Sequence, residues 1–258
     1  MSFLEHLEEL RWHILRSMVA VVVFAIIVFF LKDFIFNTVI FGPKHDSFPT
    51  YRLFCHIAEL IHVPSICFKP PDFNFVTPVF GELFITHIKV SIVLGIVASF
   101  PYIFWEFWNF FKPGLYEKER KVTKGIVSIC SSLFLIGILF GYFVISPFAI
   151  KFLAGYQIEG VSATPSLASF VNYMVMFTLP AGMIFELPIV VYFLSKIGLI
   201  TPTFMRKYRR HAIVLILIIA AIITPPDVVT QFLIGIPLYI LYEASIYVSA
   251  RVVKNLKY

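Results

Sequence analysis

Residues 12–31 read WHILRSMVAVVVFAIIVFFL, twenty positions with one charged side chain, Arg16, and no Gly or Pro. As a helix rising about 1.5 Å per residue, this run matches a bilayer hydrocarbon core of about 30 Å. Five further apolar stretches follow, at about 83–111, 125–153, 167–194, 212–223 and 228–250. The fifth is too short to span a bilayer of ordinary thickness. The sixth is shortened by Gln231 near one end and Glu243 near the other. The tight turn Thr224-Pro225-Pro226-Asp227 joins these two as a helical hairpin. Composition agrees with a lipid setting. The 258 residues are 59% hydrophobic and 14% charged, with mean hydropathy +0.89. A water-solvated domain carries about 25% charged residues, so a soluble enzyme is excluded at the outset. The reading is one all-α polytopic membrane domain over 1–258, with six kinked helices in a concave bundle.

The basic residues orient it. Fifteen of the 21 Lys and Arg lie on the side that holds the N-terminus, in four groups: 11–16, 112–124, 196–210 and 251–257. Lys32, Lys44, Arg52, Lys69 and Lys151 lie on the other side, and Lys89 falls within span two. The positive-inside rule places both termini in the cytoplasm. The net charge of +6 therefore reports topology and calls for no nucleic acid. The start MSFLEHLEELR is acidic, and no small-residue cleavage site follows the first span. Span one is thus expected to target the chain without a cleavable signal.

Residues 33–80 form the largest connection, an outer cap with six of the 16 prolines. Proline removes a donor and fixes φ, which favours ordered turns over a sheet. A short amphipathic helix is expected over Arg52–Val63, with Leu53, Phe54, Ile57, Leu60 and Ile61 near one face. Cys55 and Cys67 also lie in the cap. On the oxidising side of the membrane they are expected to form a disulfide, the alternative being two buried thiols. Cys130 reads as a small packing residue in span three. Neither CxxC nor any metal-ligand spacing occurs, and no cofactor is implied. Pro101, Pro147, Pro180, Pro188 and Pro237 interrupt the spans and are expected to bend them.

Ionisable residues at membrane depth cost several kcal/mol and are functional hypotheses by default. They are Glu82, Lys89, Glu186 and Glu243. Glu82 lies seven residues before Lys89, near enough on one helix face to pair with it. Glu186, between Phe185 and Leu187 with Pro188 next, lies mid-span. It reads either as a polar contact for a partner helix or crossing substrate, or as a satisfied internal group. At the N-terminus, Ser2 and Glu5 match a capping box. Phe3, Leu7, Leu10 and Ile14 form one stripe, leaving Glu5, Glu8 and Glu9 exposed to the cytoplasm. Glu117 and Glu119 lie in the short loop after span two.

These segments carry a resemblance. His6-Leu7-Glu8-Glu9-Leu10-Arg11 is similar to the N-terminal signature of the TatC family, the multispanning receptor subunit of the twin-arginine protein translocase. Pro101-Tyr102-Ile103-Phe104-Trp105 and Lys112-Pro113-Gly114-Leu115-Tyr116, leading to Glu119-Arg120-Lys121, extend it. So do Gly141-Tyr142-Phe143 with Pro147 and Phe152-Leu153, then Phe185-Glu186-Leu187-Pro188, and Thr224-Pro225-Pro226-Asp227 with Gln231 and Pro237. Five motifs in order over nearly the whole chain make the resemblance specific.

The resemblance implies binding of signal peptides with paired arginines by Glu9 and Glu119, with Arg11, Arg120 and Lys121 beside them. A guanidinium fork suits a carboxylate, and two arginines call for two acceptors. It also implies a role for Glu186 on the concave membrane face, and architectural or partner-contact roles for Pro43, Asp227 and Gln231. Implied partners are twin-arginine precursors and single-span TatA- and TatB-type subunits, in a homo-oligomer within a larger complex in the bacterial inner membrane. The proton gradient would drive the transport of folded proteins. Two departures stand out: Glu117-Lys118 replaces a more basic pair, and the outer cap is longer than usual. The competing reading is a proton-coupled small-solute transporter using Glu186. The absence of internal repeats and the position of the other carboxylates at the cytoplasmic surface count against it. An enzyme is not expected, since no nucleophile–base pair, HExxH or phosphate loop occurs.

Overall fold

The computed structural model describes residues 3–60, 62, 67, 69–70, 74–111, 125–156, 164–223 and 228–256. Its elements are α1 Phe3–Phe30, α2 Pro49–Leu60, α3 Glu82–Phe111, α4 Ile126–Phe140 and α5 Ser146–Gly155. They continue with α6 Leu167–Phe185, α7 Leu187–Lys196, α8 Pro202–Lys207, α9 Arg209–Ile223 and α10 Val228–Leu256. Among the described residues there is no strand, only an isolated bridge between Val76 and Ser166. Among the described residues, five helical runs are long and apolar enough to cross a membrane: His6–Phe30, Glu82–Phe110, Ile126–Gly155, Leu167–Lys196 and Gln231–Lys254. The chain is thus an all-α, multi-pass membrane protein. The fifth expected stretch is α9, whose 15 residues make a helix of about 22 Å, short of a hydrocarbon core of about 30 Å.

Three expectations shift. The sixth helix is not short: α10 runs 29 residues, because nothing after Pro237 breaks it and its charged last turns stay helical. The helix of segment 33–80 starts three residues earlier than its apolar face suggested. Pro49 opens it, since a proline at the first position gives up an N–H that has no partner there. Pro101, Pro180 and Pro237 lie inside continuous helices, so only Pro147 and Pro188 stand at interruptions.

Contacts divide the chain into two compact units. The first comprises Met1–Gly42, Phe75–Leu135 and Ser166–Val171. Its core is the antiparallel pair α1 and α3, in which partner numbers fall as the other's rise. His6 stacks on Phe110, Ala25 meets Gly95, and Phe29 stacks on His87. Gly95 permits the closest approach, since a Cβ there would lie 2.8 Å from the Ala25 backbone nitrogen. The face of α1 turned away from α3 includes Val19, Ile26 and Phe30, all exposed. On the other side of α3, Phe100 stacks on Phe134 of α4 at 3.6 Å. Glu82 does not turn along its own helix to Lys89. It accepts the Ala168 N–H at the start of α6, where the partial positive charge of a helix terminus favours a carboxylate.

The second unit comprises Pro43–Asn74, Ile136–Pro165 and Asn172–Tyr258. Its apolar core joins Ile145 and Ala149 to Phe177 and Ala181 of α6, Ile216 and Ala220 of α9, and Ile234 and Leu238 of α10. Gly137 and Gly141 bring α4 against the α6 backbone; a Cβ at Gly141 would lie 2.7 Å from the Phe177 carbonyl oxygen. A π turn, Gly141–Ile145, precedes α5. Pro147 offers no N–H to the Phe143 carbonyl one turn back, and the Thr50 hydroxyl of α2 donates to it instead. Tyr51 donates to the Pro43 carbonyl at 2.7 Å. Burial, and secondarily the Asp46 carboxylate, push the Tyr51 hydroxyl above its ordinary value, so it stays a donor. A disulfide joins Cys55 of α2 to Cys67, with Cα atoms 4.2 Å apart.

Two outcomes are expected. Gly141→Ala forces α4 and α6 apart and should cost about 1–3 kcal/mol, read as a lower melting temperature of the membrane-extracted protein. An unshifted transition would contradict the close contact. Intact-mass analysis of alkylated, unreduced protein should find Cys55 and Cys67 protected. Their replacement by serine should cost roughly 3 kcal/mol for a loop of about 13 residues. Two alkylated thiols would contradict the bridge.

Candidate functional site

Among the described residues, the more deeply buried of the two buried carboxyl groups of the first unit is one the sequence reading passed over. Glu106, in α3, is only 2% exposed. Its Oε2 lies 2.5 Å from His13 Nδ1 of α1, and its Oε1 accepts the Tyr102 hydroxyl at 2.7 Å. The Arg16 guanidinium stands farther off, at 3.9 Å from Oε2. A carboxylate so buried needs these partners, because desolvation without pairing costs several kcal/mol. The signal was available. His13 begins span one, Glu106 ends span two, and antiparallel helices bring those ends to one depth.

This cluster lies on the face of α1 that meets α3. His6, Glu9, Leu10 and His13 follow the three- and four-residue spacing of one helix face. The rings of His6 and His13 both contact Phe110, at centroid distances of 4.4 and 6.0 Å. Glu9, between them, is half-buried rather than exposed, whereas Glu8 and Arg11 are exposed. Leu7 and Ile14, expected on a packing stripe, are largely exposed. Binary patterning reverses here: polar groups seek the neighbouring helix and apolar ones face outward. Ser2 and the Glu5 side chain lie outside the described residues, and with them the capping box.

Next to the cluster, an apolar groove of about 390 Å³ runs along α1 and α3. Ile14, Met18, Val22, Ile103 and Phe107 line it, with His13 and Ser17 as its polar members. α3 ends at Phe111, and Glu117, Glu119, Arg120 and Lys121 follow in a segment outside the described residues. The structure therefore describes one half of the expected acidic pair, on the α1 face that also carries His13.

The remaining expected residues lie in the second unit. Glu186 stands at the junction of α6 and α7, half-buried, its N–H bonded to the Met183 carbonyl. Pro188 follows in the first turn of α7. Gln231 of α10 donates to the Leu217 carbonyl of α9 at 3.1 Å. Farther along the same hairpin, Arg209 donates to Glu243 at 2.7 Å, and Tyr239 donates to the other oxygen at 3.0 Å. These two clasps hold the short α9 against the long α10. Pro43 is buried as the acceptor for Tyr51. Asp227 lies outside the described residues. Among the described residues, no group of three or more His, Cys, Asp and Glu side chains could hold a metal ion.

Comparison with known proteins gives one family. The model of the Sec-independent protein translocase protein (TatC) matches residues 5–237. A TatC of Blattabacterium is 40% identical over 99% of this chain and 97% of its own length. The TatC of Aquifex aeolicus is 33% identical over 100% of this chain and 98% of its own. A crystal structure of the twin arginine translocase receptor TatC superposes with TM-score 0.70 at 32% identity, covering 95% of this chain and 97% of that one. With the motifs of α1, the α6–α7 junction and the α9–α10 hairpin all inside the matched range, the chain belongs to the TatC family of Sec-independent protein translocase components.

Proposed function

We propose that this protein is the receptor of a twin-arginine translocase, with Glu9 and Glu119 as acceptors for the paired arginines of a signal peptide. The observation that carries the reading is the half-buried Glu9 on the α1 face that packs against α3, the helix leading into the Glu119 segment. A carboxylate partly shielded from water binds a guanidinium more strongly than an exposed one, because screening is weaker. Arg11, Arg120 and Lys121 orient the pair and disfavour weakly basic ligands. The adjacent apolar groove suits the hydrophobic stretch that follows the arginines.

The rest of the translocase follows from the same assignment. Six spans leave both termini in the cytoplasm of a bacterial inner membrane, with α9 as the thin fifth span. Single-span TatA- and TatB-type subunits dock on the α9–α10 hairpin, where Asp227 and Gln231 lie. Several copies assemble, since one is too small to surround a folded cargo, and the proton gradient drives passage. Glu186, at the break between α6 and α7, serves a step after binding, as a polar contact for the inserted signal or for a partner helix.

Two outcomes test this. Glu9→Ala and Glu119→Ala should each weaken precursor binding by about 2–5 kcal/mol, abolishing crosslinking to a twin-arginine precursor while partner assembly persists. Crosslinking that survives both single changes and the double one would contradict the assignment. Glu186→Gln should slow transport in energised vesicles more than it weakens initial binding. An unchanged transport rate would reduce Glu186 to a structural part.

A further inference from the structure

The cluster around Glu106 has no part in the acceptor pair, yet it stands one helical turn from Glu9. Three observations bear on it. Glu106 is buried and has bonds at both oxygens, from Tyr102 on its own helix and from His13 on the neighbouring one. The bond to His13 is the shorter of two polar contacts that reach Glu106 from α1, the other being Arg16 at 3.9 Å, and Phe110, Phe107 and Ile103 lie beside them. His13 follows Glu9 by four residues, so both lie on one face of a continuous helix. The close approach of Ala25 to Gly95 sets the packed face of α1 at its far end, but near Glu9 the apolar contacts are looser, and lipid accepts an apolar face equally. A short polar bond defines the rotation there, since the carboxylate has no other solvent to turn to.

We propose that Glu106, through His13, is a positioning residue for signal-peptide recognition: the pair locks the rotation of α1 so that Glu9 faces the paired-arginine site. The inference rests on the receptor reading above. Glu106 does not itself take the ligand's arginine, because His13, Tyr102 and Arg16 already fill its surroundings. The consequence is specificity. An α1 whose cytoplasmic end is less tightly held in rotation still presents a negative charge, which attracts any cation, but it loses the fixed geometry that distinguishes a guanidinium fork from an ammonium.

The test uses the full chain in membranes with its partner subunits, and signal peptides carrying paired arginines or paired lysines. The readout is the ratio of the two affinities, normalised to assembled receptor. His13→Leu removes the bond to Glu106 and keeps apolar bulk. His13→Asn keeps an amide near the position of Nδ1. The leucine variant should lose about tenfold or more of arginine affinity and narrow the ratio, and the asparagine variant should stay within about threefold of the parent. Glu106→Leu should behave like His13→Leu. If it fails to accumulate, the double variant H13L/E106L, which leaves no buried charge unpaired, carries the same expectation. A parental ratio in the leucine variants overturns the positioning role, because a merely structural contact would lower the amount of receptor and not its selectivity. Glu9→Ala, measured alongside, separates the two claims. If it also keeps the parental ratio, the receptor assignment of Glu9 has failed. If it alone loses the ratio, only the positioning role has.

Discussion

A polar side chain inside a bilayer has no water to turn to, and that constraint organises this protein more than any apolar contact does. Hydrocarbon solvates Val, Ile and Phe as well as a protein core would, so burying them against protein gains little. What must be buried is the polar and the small. α1 accordingly exposes Val19, Val22, Ile26 and Phe30 and turns His13, Ser17 and Ala25 toward α3. Gly95, Gly137 and Gly141 mark where backbones come closest. Ser195 and Ser249 meet across α7 and α10 at 2.7 Å, both buried. The helix pairs are held by glycine and serine contacts and by a few strong bonds, among them those that a carboxylate makes to His13 and to Arg209.

The same constraint joins fold to function. Recognition of a doubly cationic ligand needs carboxylates in a defined place, and a single helix cannot fix the direction of its own side chains. The bond at Glu106 ties α1 to α3 within one turn of Glu9, and the two clasps of the α9–α10 hairpin hold a helix too short to anchor itself in a bilayer. Each tie lies where apolar packing leaves a rotation or a depth loosely defined.

Much of the fold was legible in the sequence because the length and apolarity of a span are dictated by the lipid solvent, readable one segment at a time. Residues 12–31 and 83–111 could hardly be anything but long helices. Helix ends and pairings were less legible, because they depend on partners. Pro49 opened α2 before its apolar face began, and α10 ran on through Arg251 and Lys254, which hydropathy would have left outside. Glu82 found the start of α6 instead of a residue on its own helix. Glu106 was missed because it sits among Phe104, Trp105, Phe107 and Trp108 in a run that reads as apolar. Only the pairing of two helices shows that a histidine ninety-three residues earlier meets it. Charge pattern alone marked Glu5, Glu8, Glu9, Glu117 and Glu119 as carboxylates among cations, and it was the resemblance to the TatC family that singled out Glu9 and Glu119 as the proposed acceptors.

The central claim is that acidic side chains on the α1 face and in the segment after α3 receive the paired arginines of a signal peptide. The most direct measurement is photocrosslinking from a reactive residue placed at position 119, in membranes, with a precursor carrying either paired arginines or paired lysines. The account predicts a strong adduct at the arginine pair and little with lysines. Equal adducts with both precursors, or none with either, would contradict it.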